Sequence, residues 1–418
     1  MQNSKIKKTF LLLTYLFLWF NFTAQNKLEY LAANRTDLAS LDYLFPQSDF
    51  TLVGFGALHG SAKTYDAELN VIKALKKQDL FEYYIVETNY SQAFYFQEYL
   101  NKGDDELLKQ LTLSFQTMVS QEGTIETYAH WKNLRALHLK YPNNPIKVVG
   151  CDVVNEYRFP IKHLLALTSE DTAWAQREIL KQVLNDKNAD FSFWNQDIQQ
   201  KVKSFVLDYR SNKSNYETSI LDLEIFDHII AGIGHNFGKK REREKIIFDN
   251  YMVLHAKLDL ANKNQFAKYG YFHVQKNREG NYPSFFTRLI ENKVYARDKV
   301  ITIMCYLTKS KVLWDKVYDK NGAYKSFTTR AGFGVSDCWR ESFKGIKNLK
   351  LQRISDQTIY RLNGSTSPYN NGTDLVELKV FLKDYNTTKL KQKNTLEFID
   401  YAILISSSSP QLPLEEMK

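Results

Sequence analysis

The chain has 418 residues, 44% of them hydrophobic and 25% charged, and a formal net charge of +9. This length allows a large core, read either as two or three average domains or as one α/β domain with an insertion. The basic excess lies in short clusters such as KALKK and KKRERE, with no stripe or recognisable module, which excludes a nucleic-acid-binding surface and fits solvated helix faces; three cysteines exclude a disulfide framework by number and parity.

The first 25 residues read as a secretory signal, because the basic KIKK precedes the apolar run FLLLTYLFLWF. That run is shorter than the roughly 20 residues of a membrane span. NFTAQ then places a cut beside Ala24 or Gln25, although Phe22 departs from the small-x-small cleavage pattern, and an uncleaved anchor is the alternative. Removing Lys5, Lys7 and Lys8 leaves a charge of +6. No later apolar run is long enough to span a bilayer, so residues 26–418 are expected as an exported, periplasmic or extracellular protein.

Strand-length apolar runs then recur between helical patterns: FTLVGFG (50–56), YYIVET (83–88), IKVVGCDVV (146–154), AKYGYFHV (267–274), KVITIMCYL (299–307) and YAILISS (401–407). Continuous β-branched and aromatic runs fit strands covered on both faces, and their alternation with helices predicts an α/β fold with a mainly parallel central sheet flanked by helices. Between the first two runs, Leu69, Ile72 and Leu75 form a helical stripe, and the resulting βαβ unit predicts a parallel pair. Residues from about 155 to 265 show only helical patterns, too long for one crossover, and read as a large helical insertion within a single domain. Cys151 and Cys305, in or beside strands, read as buried packing residues. The turn-rich segment after about 309 ends in the run at 401–407, which is expected to complete the sheet.

Ligands of open α/β sheets bind beyond the carboxyl ends of the strands. His59, in GALHG, Glu87, in IVETN, and His273, in GYFHV, all fall there. Two imidazoles and a carboxylate at one edge can move a proton from water to a leaving group. The same three groups, His59, Glu87 and His273, can instead ligate a divalent metal that makes water nucleophilic. Gly56 and Gly60 suit a sharp turn and a close substrate approach. His130 and His138 share a helix face and read as packing or surface, although WKNLRALH could roof the cleft; His235, in GIGH, reads as a loop or helix-start residue.

On these residues the sequence resembles the erythromycin esterase-like superfamily, with the ChaN-like haem-binding proteins and, more distantly, the TraB/Tiki group as relatives. Gly56 to Gly60 match its first strand-end signature, Glu87 its second-strand acid, and Asp152 in GCDVV its glycine-aspartate strand end. Arg243, Glu244 and Asn250 in REKIIFDN match its R-[DE]-x-x-M-x-x-N helix, and His273 its later histidine. The matched blocks cover about 50–310. The resemblance implies an α/β core, a helical insertion and an active cleft between them. It further implies hydrolysis of an ester, lactone or amide, with His59 as general base. Glu87, Glu244 and His273 would position water or the oxyanion, Arg243 would hold Glu87 or a substrate oxygen, and Gly56, Gly60, Asp152 and Asn250 would adjoin a small-molecule or peptide substrate.

Gly56 departs from the family, whose signature carries a glutamate there, which weighs against macrolide hydrolysis in particular. No cofactor is needed on the esterase reading. G-x-x-H occurs at Gly56–His59 and again at Gly270–His273, similar to the Tiki arrangement, which would make the protein a metal-dependent peptidase. A third alternative is a non-catalytic haem or small-ligand binder.

Overall fold

The computed structural model describes residues 26–40, 45, 49–117, 119–170, 172–238, 242–320 and 322–417. The expected signal at 1–25 lies outside the described residues. Among the described residues no helix is long and apolar enough to cross a membrane.

Among the described residues eight strands form the central sheet: β1 (Arg35–Asp37), β2 (Leu52–Ala57), β3 (Tyr83–Val86), β4 (Lys147–Gly150), β5 (Gln265–Gly270), β6 (Val300–Thr308), β7 (Gln357–Arg361) and β8 (Tyr401–Ser406). Their spatial order is β1-β7-β8-β6-β2-β5-β3-β4. From β8 to β4 every neighbouring pair is parallel, while β7 and β1 close the other edge antiparallel. Every residue of β2, β6 and β8 is buried, as strands sandwiched between two layers must be. One face packs Val53, Phe55 and Phe266 against the helices Ala62–Lys77 and Ile125–Lys140. The other packs Ala267, Tyr269 and Met304 against the helices Arg243–Lys257 and Phe285–Glu291.

The fold differs from expectation at the βαβ unit, because β2 and β3 are parallel but not paired. Strand β5 runs between them, with Gly54 opposite Ala267 on one side and Ile85 opposite Ala267 on the other. The chain leaves β4, builds the helices from Arg158 to Lys257, and returns into the gap. That helical segment has its own apolar cluster around Tyr157, Trp174, Phe205 and Phe226. The insertion of β5 matters for function, since adjacent strands lie about 4.8 Å apart. It brings the carboxyl ends of β2, β5 and β3 side by side.

Beyond β6 the chain forms a hairpin, Val312–Tyr318 with Tyr324–Arg330, and a small antiparallel sheet built from 337–338, 341–343, 378–380 and 383–384. The run at 401–407 enters the central sheet beside β6, as expected, while β7, a short and partly polar QTIYR, carries no comparable signal in the sequence.

Gly54 and Gly56 lie inside β2, where side chains alternate between faces. A Cβ on Gly54 would meet the Phe286 ring at 2.4 Å, and one on Gly56 would meet Met304 Sδ at 2.3 Å. These glycines let Phe286 and Met304 press onto the strand backbone. Gly56 was expected at a turn beside substrate; its α-carbon faces the core instead. Cys151 and Cys305 are buried free thiols, as expected.

Candidate active site

His59 sits in the turn that leaves β2, and Gly60 makes that turn possible with φ of +85°. The turn is pinned from outside: the Gly60 carbonyl accepts from Leu313 N at 2.8 Å and from Gln411 N at 2.9 Å. His59 Nδ1 lies 2.8 Å from Glu122 Oε1, and Nε2 lies 3.9 Å from Glu87 Oε2. The His59 side chain is 22% exposed, whereas Glu122 keeps 3%. A reachable imidazole is thus backed by a buried acid.

Glu122 was not anticipated from the sequence. It ends the short 3-10 turn Ser120–Glu122, and the tail at 410–414 laces over that segment, with Ile125 N bonded to Leu412 O at 2.9 Å and Leu414 N to Gly123 O at 3.0 Å. Glu122 Oε1 also accepts from Lys268 Nζ at 2.6 Å, and Oε2 accepts from the Tyr65 hydroxyl. Lys268 is only 2% exposed, on the face of β5 that it shares with Phe266. Burial lowers its affinity for a proton, but Glu122, Glu68 and Glu87 outweigh this and raise its pKa above the ordinary 10.5. A lysine inside an apolar strand run was a sequence signal, because lysine is almost never fully buried unless paired.

Glu87 follows β3 and is 2% exposed. Its Oε1 accepts from Arg243 Nη2 at 2.7 Å and its Oε2 from the Gly270 amide at 3.0 Å. Burial pushes the carboxyl up, but the Arg243 charge, then His59, His273 and Lys268, outweigh it and hold the pKa at about 2. Arg243, the first residue of its helix, also reaches Asp152 after β4, through Nε at 3.0 Å and Nη2 at 2.7 Å. Two carboxylates therefore clamp one guanidinium, whose pKa is raised despite its burial.

Three residues beyond β5, His273 Nδ1 lies 2.6 Å from Glu244 Oε1, an ion-pair contact off the line of a hydrogen bond, and Nε2 lies 3.8 Å from Glu87 Oε1. Glu244 Oε2 accepts from the Phe285 amide at 2.7 Å, at the start of the next helix. Burial lowers the His273 pKa, but Glu244 and Glu87 overcome it and raise it above 6.5.

These groups converge on Gly270. A Cβ there would stand 3.2 Å from His59 Nε2, 3.6 Å from His273 Cδ2 and 4.0 Å from Glu87 Oε1. The absent side chain leaves a small niche between two imidazoles and a carboxylate. Beside the site lies a cleft of about 830 Å³, lined by Leu58, Arg243 and Glu244 on the site side, by Phe343 and Leu378 from the small antiparallel sheet and by Tyr385 just after its last strand.

The structure thus brings His59, Glu87, Arg243, Glu244 and His273 together, and adds Glu122 and Lys268. Gly56, Gly60, Asp152 and Asn250 do not line the cleft, and neither do His59, Glu87 and His273, which border the niche beside it; Asp152 and Asn250 line a separate small pocket with Asn89 and His228. Gly60 is packed against Leu313, whose carbonyl a Cβ would meet at 2.5 Å, and Asp152 is buried against Arg243. Asn250 donates to Cys151 O at 3.1 Å and so holds the end of β4. The helix Ile125–Lys140 does not roof the cleft: it packs under the sheet through Trp131, Leu134 and Leu137, with His130 against Glu68. His235 begins a 3-10 turn at the end of the helix Leu223–Gly234.

A metal bound by His59, Glu87 and His273 does not fit this arrangement. Both Glu87 oxygens are engaged, one by a guanidinium that would repel a cation. Among the described residues no group of three or more His, Cys, Asp or Glu side chains is set to hold a metal ion.

The mainly parallel central sheet flanked by helices is an erythromycin esterase-like fold. Among solved structures, the chain is similar to a Bacillus cereus protein, with a TM-score of 0.60 and 13% identity over 93% of this chain and 99% of that one. It is similar also to a histidine-to-asparagine mutant of erythromycin esterase EreC in its open conformation, with a TM-score of 0.60 and 13% identity over 92% and 99% of the two chains. A succinoglycan biosynthesis protein aligns with a TM-score of 0.55 and 13% identity over 93% and 98%. No protein-family model and no curated protein matches the sequence.

Proposed function

We propose that the protein is a hydrolase that cleaves an ester, lactone or amide of a small molecule or peptide, with His59 as general base. The convergence of His59 Nε2, His273 and Glu87 on the niche at Gly270 carries this reading, since it is where a water and a carbonyl would meet. The shared fold with a protein named erythromycin esterase supports the reaction class.

With its Nδ1–H directed at Glu122, the His59 ring presents the Nε2 lone pair to the niche. Nε2 takes a proton from water as the water oxygen bonds to the carbonyl carbon, and the carbonyl electron pair moves onto its oxygen. Glu122 stabilises the imidazolium so formed, as a buried carboxylate does for a catalytic histidine. His273, whose ring borders the niche and whose affinity for a proton is raised by Glu244 and Glu87, would stabilise the oxyanion when protonated. When the intermediate collapses, the bond to the leaving oxygen or nitrogen breaks and the proton passes from His59 to that atom. A carboxylic acid and an alcohol or amine result, and the acid then gives its proton to solvent. Arg243 acts indirectly, by holding Glu87 ionised and both Glu87 and Asp152 in place.

Turnover of an ester and lactone panel by the wild type and by His59→Ala tests the base, and equal rates in the two proteins would remove it. Activity that persists in a strong chelator is expected. We also propose that the enzyme acts outside the cytoplasm; a mature N-terminus near Gln25 in an exported fraction is the expected result.

A further inference from the structure

Among the described residues four basic side chains line the cleft, and three of them are spoken for. Arg243 is clamped by Glu87 and Asp152, Lys245 lies 2.5 Å from Asp249, and Lys389 lies 3.5 Å from Glu279. Arg288 differs. Among the described residues no hydrogen bond or ion pair engages its guanidinium, and its Nε is buried without an acceptor. Glu291, a carboxylate that feels the Arg288 charge, is taken in a fork by Arg278 at 2.6 and 2.7 Å.

Among the described residues the acids of the cleft offer Arg288 no partner. Glu244 contacts His273, Glu279 pairs with Lys389, and Glu341 accepts from the amides of Gly334 and Ser336 at 3.0 Å. Glu242 has an interaction of its own. Arg288 is also tied to the active site by its helix. Phe285, three residues and about 4.5 Å earlier along the same helix, binds through its backbone amide to Glu244, which in turn contacts His273. Aromatic rings of Tyr271, Phe272, Tyr282, Phe343 and Tyr385 line the same cleft.

We propose that Arg288 receives an oxyanion of the substrate, so that the preferred substrates carry a carboxylate or phosphate joined through an apolar or aromatic body to the scissile ester or amide. A planar guanidinium with open N–H groups suits either oxyanion in a fork, and the aromatic wall suits the body. The inference rests on the hydrolase reading for the position of the scissile bond and not for the binding of the anion.

The test has a binding arm and a turnover arm. Phenylacetate, phenyl phosphate and benzyl alcohol are titrated calorimetrically into the full-length protein, the Arg288→Gln variant and the Arg288→Lys variant, after the unfolding midpoints of all three are compared. At least one anion is expected to bind tenfold or more tightly than the alcohol, with the preference lost in Arg288→Gln and partly kept in Arg288→Lys. Equal binding of the alcohol, no binding of either anion, or a preference that survives in a folded Arg288→Gln would overturn the proposal. The two anions separate carboxylate from phosphate. In the turnover arm, the kcat/KM ratio of p-nitrophenyl hemisuccinate to p-nitrophenyl butyrate is expected to fall about tenfold in Arg288→Gln, through KM. Anion binding without hydrolysis of any ester would sink the hydrolase reading alone, and hydrolysis without an anion preference would sink the Arg288 assignment alone.

Discussion

Glu122→Gln keeps the size of the side chain and removes the negative charge between His59 and Lys268. In the native protein burial pushes this carboxyl up, but Lys268 and then His59 outweigh it and hold the pKa at about 2, against an ordinary 4.5. At about 1.4 kcal/mol per pH unit, that gap amounts to about 3 kcal/mol in favour of the ionised, folded state. Because the folded value is depressed, the contribution is complete above pH ~4.5 and disappears as pH falls through about 2. The glutamine variant has no such contribution. It should therefore unfold at lower urea at pH 7, by up to about 3 kcal/mol, and the deficit should shrink steadily below pH ~4.5. The amide oxygen can still accept from His59 Nδ1–H, so orientation survives while the imidazolium loses its counter-charge; kcat should fall roughly 100-fold or more. Glu122→Ala, which also frees the ring, should lose more. Equal urea midpoints at pH 7 together with unchanged kcat in Glu122→Gln would refute the charge and orientation assigned to Glu122.

Gly270→Ala fills the niche with one methyl at 3.2 Å from His59 Nε2 while leaving an ordinary backbone, so kcat should drop roughly 100-fold with little change in unfolding midpoint; full activity would place the reacting water elsewhere. Gly56→Glu, which restores the family's acid, should yield unfolded or insoluble protein and no gain of activity, because the carboxylate would be driven into Met304 in the core. A soluble, more active variant would show that the strand admits it. The raised pKa of His273 means that its ion pair with Glu244 stabilises the fold fully below pH ~6.5 and is lost as pH rises through the folded value. NMR titration of the His273 ring should give a pKa above 6.5, and Glu244→Gln should lower it; a value at or below 6.5 in the wild type contradicts this.

The α/β class, the parallel sheet and the resemblance to the erythromycin esterase-like fold were legible from six apolar runs and a handful of strand-end residues. Strands buried on both faces must be apolar along their whole length, so they announce themselves locally. The choice of His59, Glu87 and His273 as candidates followed from the same rule, which places ligands at the carboxyl ends of such strands.

What stayed hidden depends on contacts between residues far apart in the chain. Nothing in QEGT marks Glu122 as the partner of a histidine 63 positions earlier, since that pairing exists only after the 3-10 turn and the tail at 410–414 are packed over the His59 turn. Nor could Gly56 be separated from a turn glycine until Met304 was seen against it. The order of the strands was equally non-local: a short βα connection reads as an adjacent pair, yet β5 enters between β2 and β3 from beyond a long helical insertion. Periodicity and composition decide what a segment must bury, and so they determine the elements and the class of fold. Register between distant segments is decided by which surfaces fit and which charges find partners. That is why GALHG announced a candidate base, while the acid behind it and the niche before it were set by the folded chain.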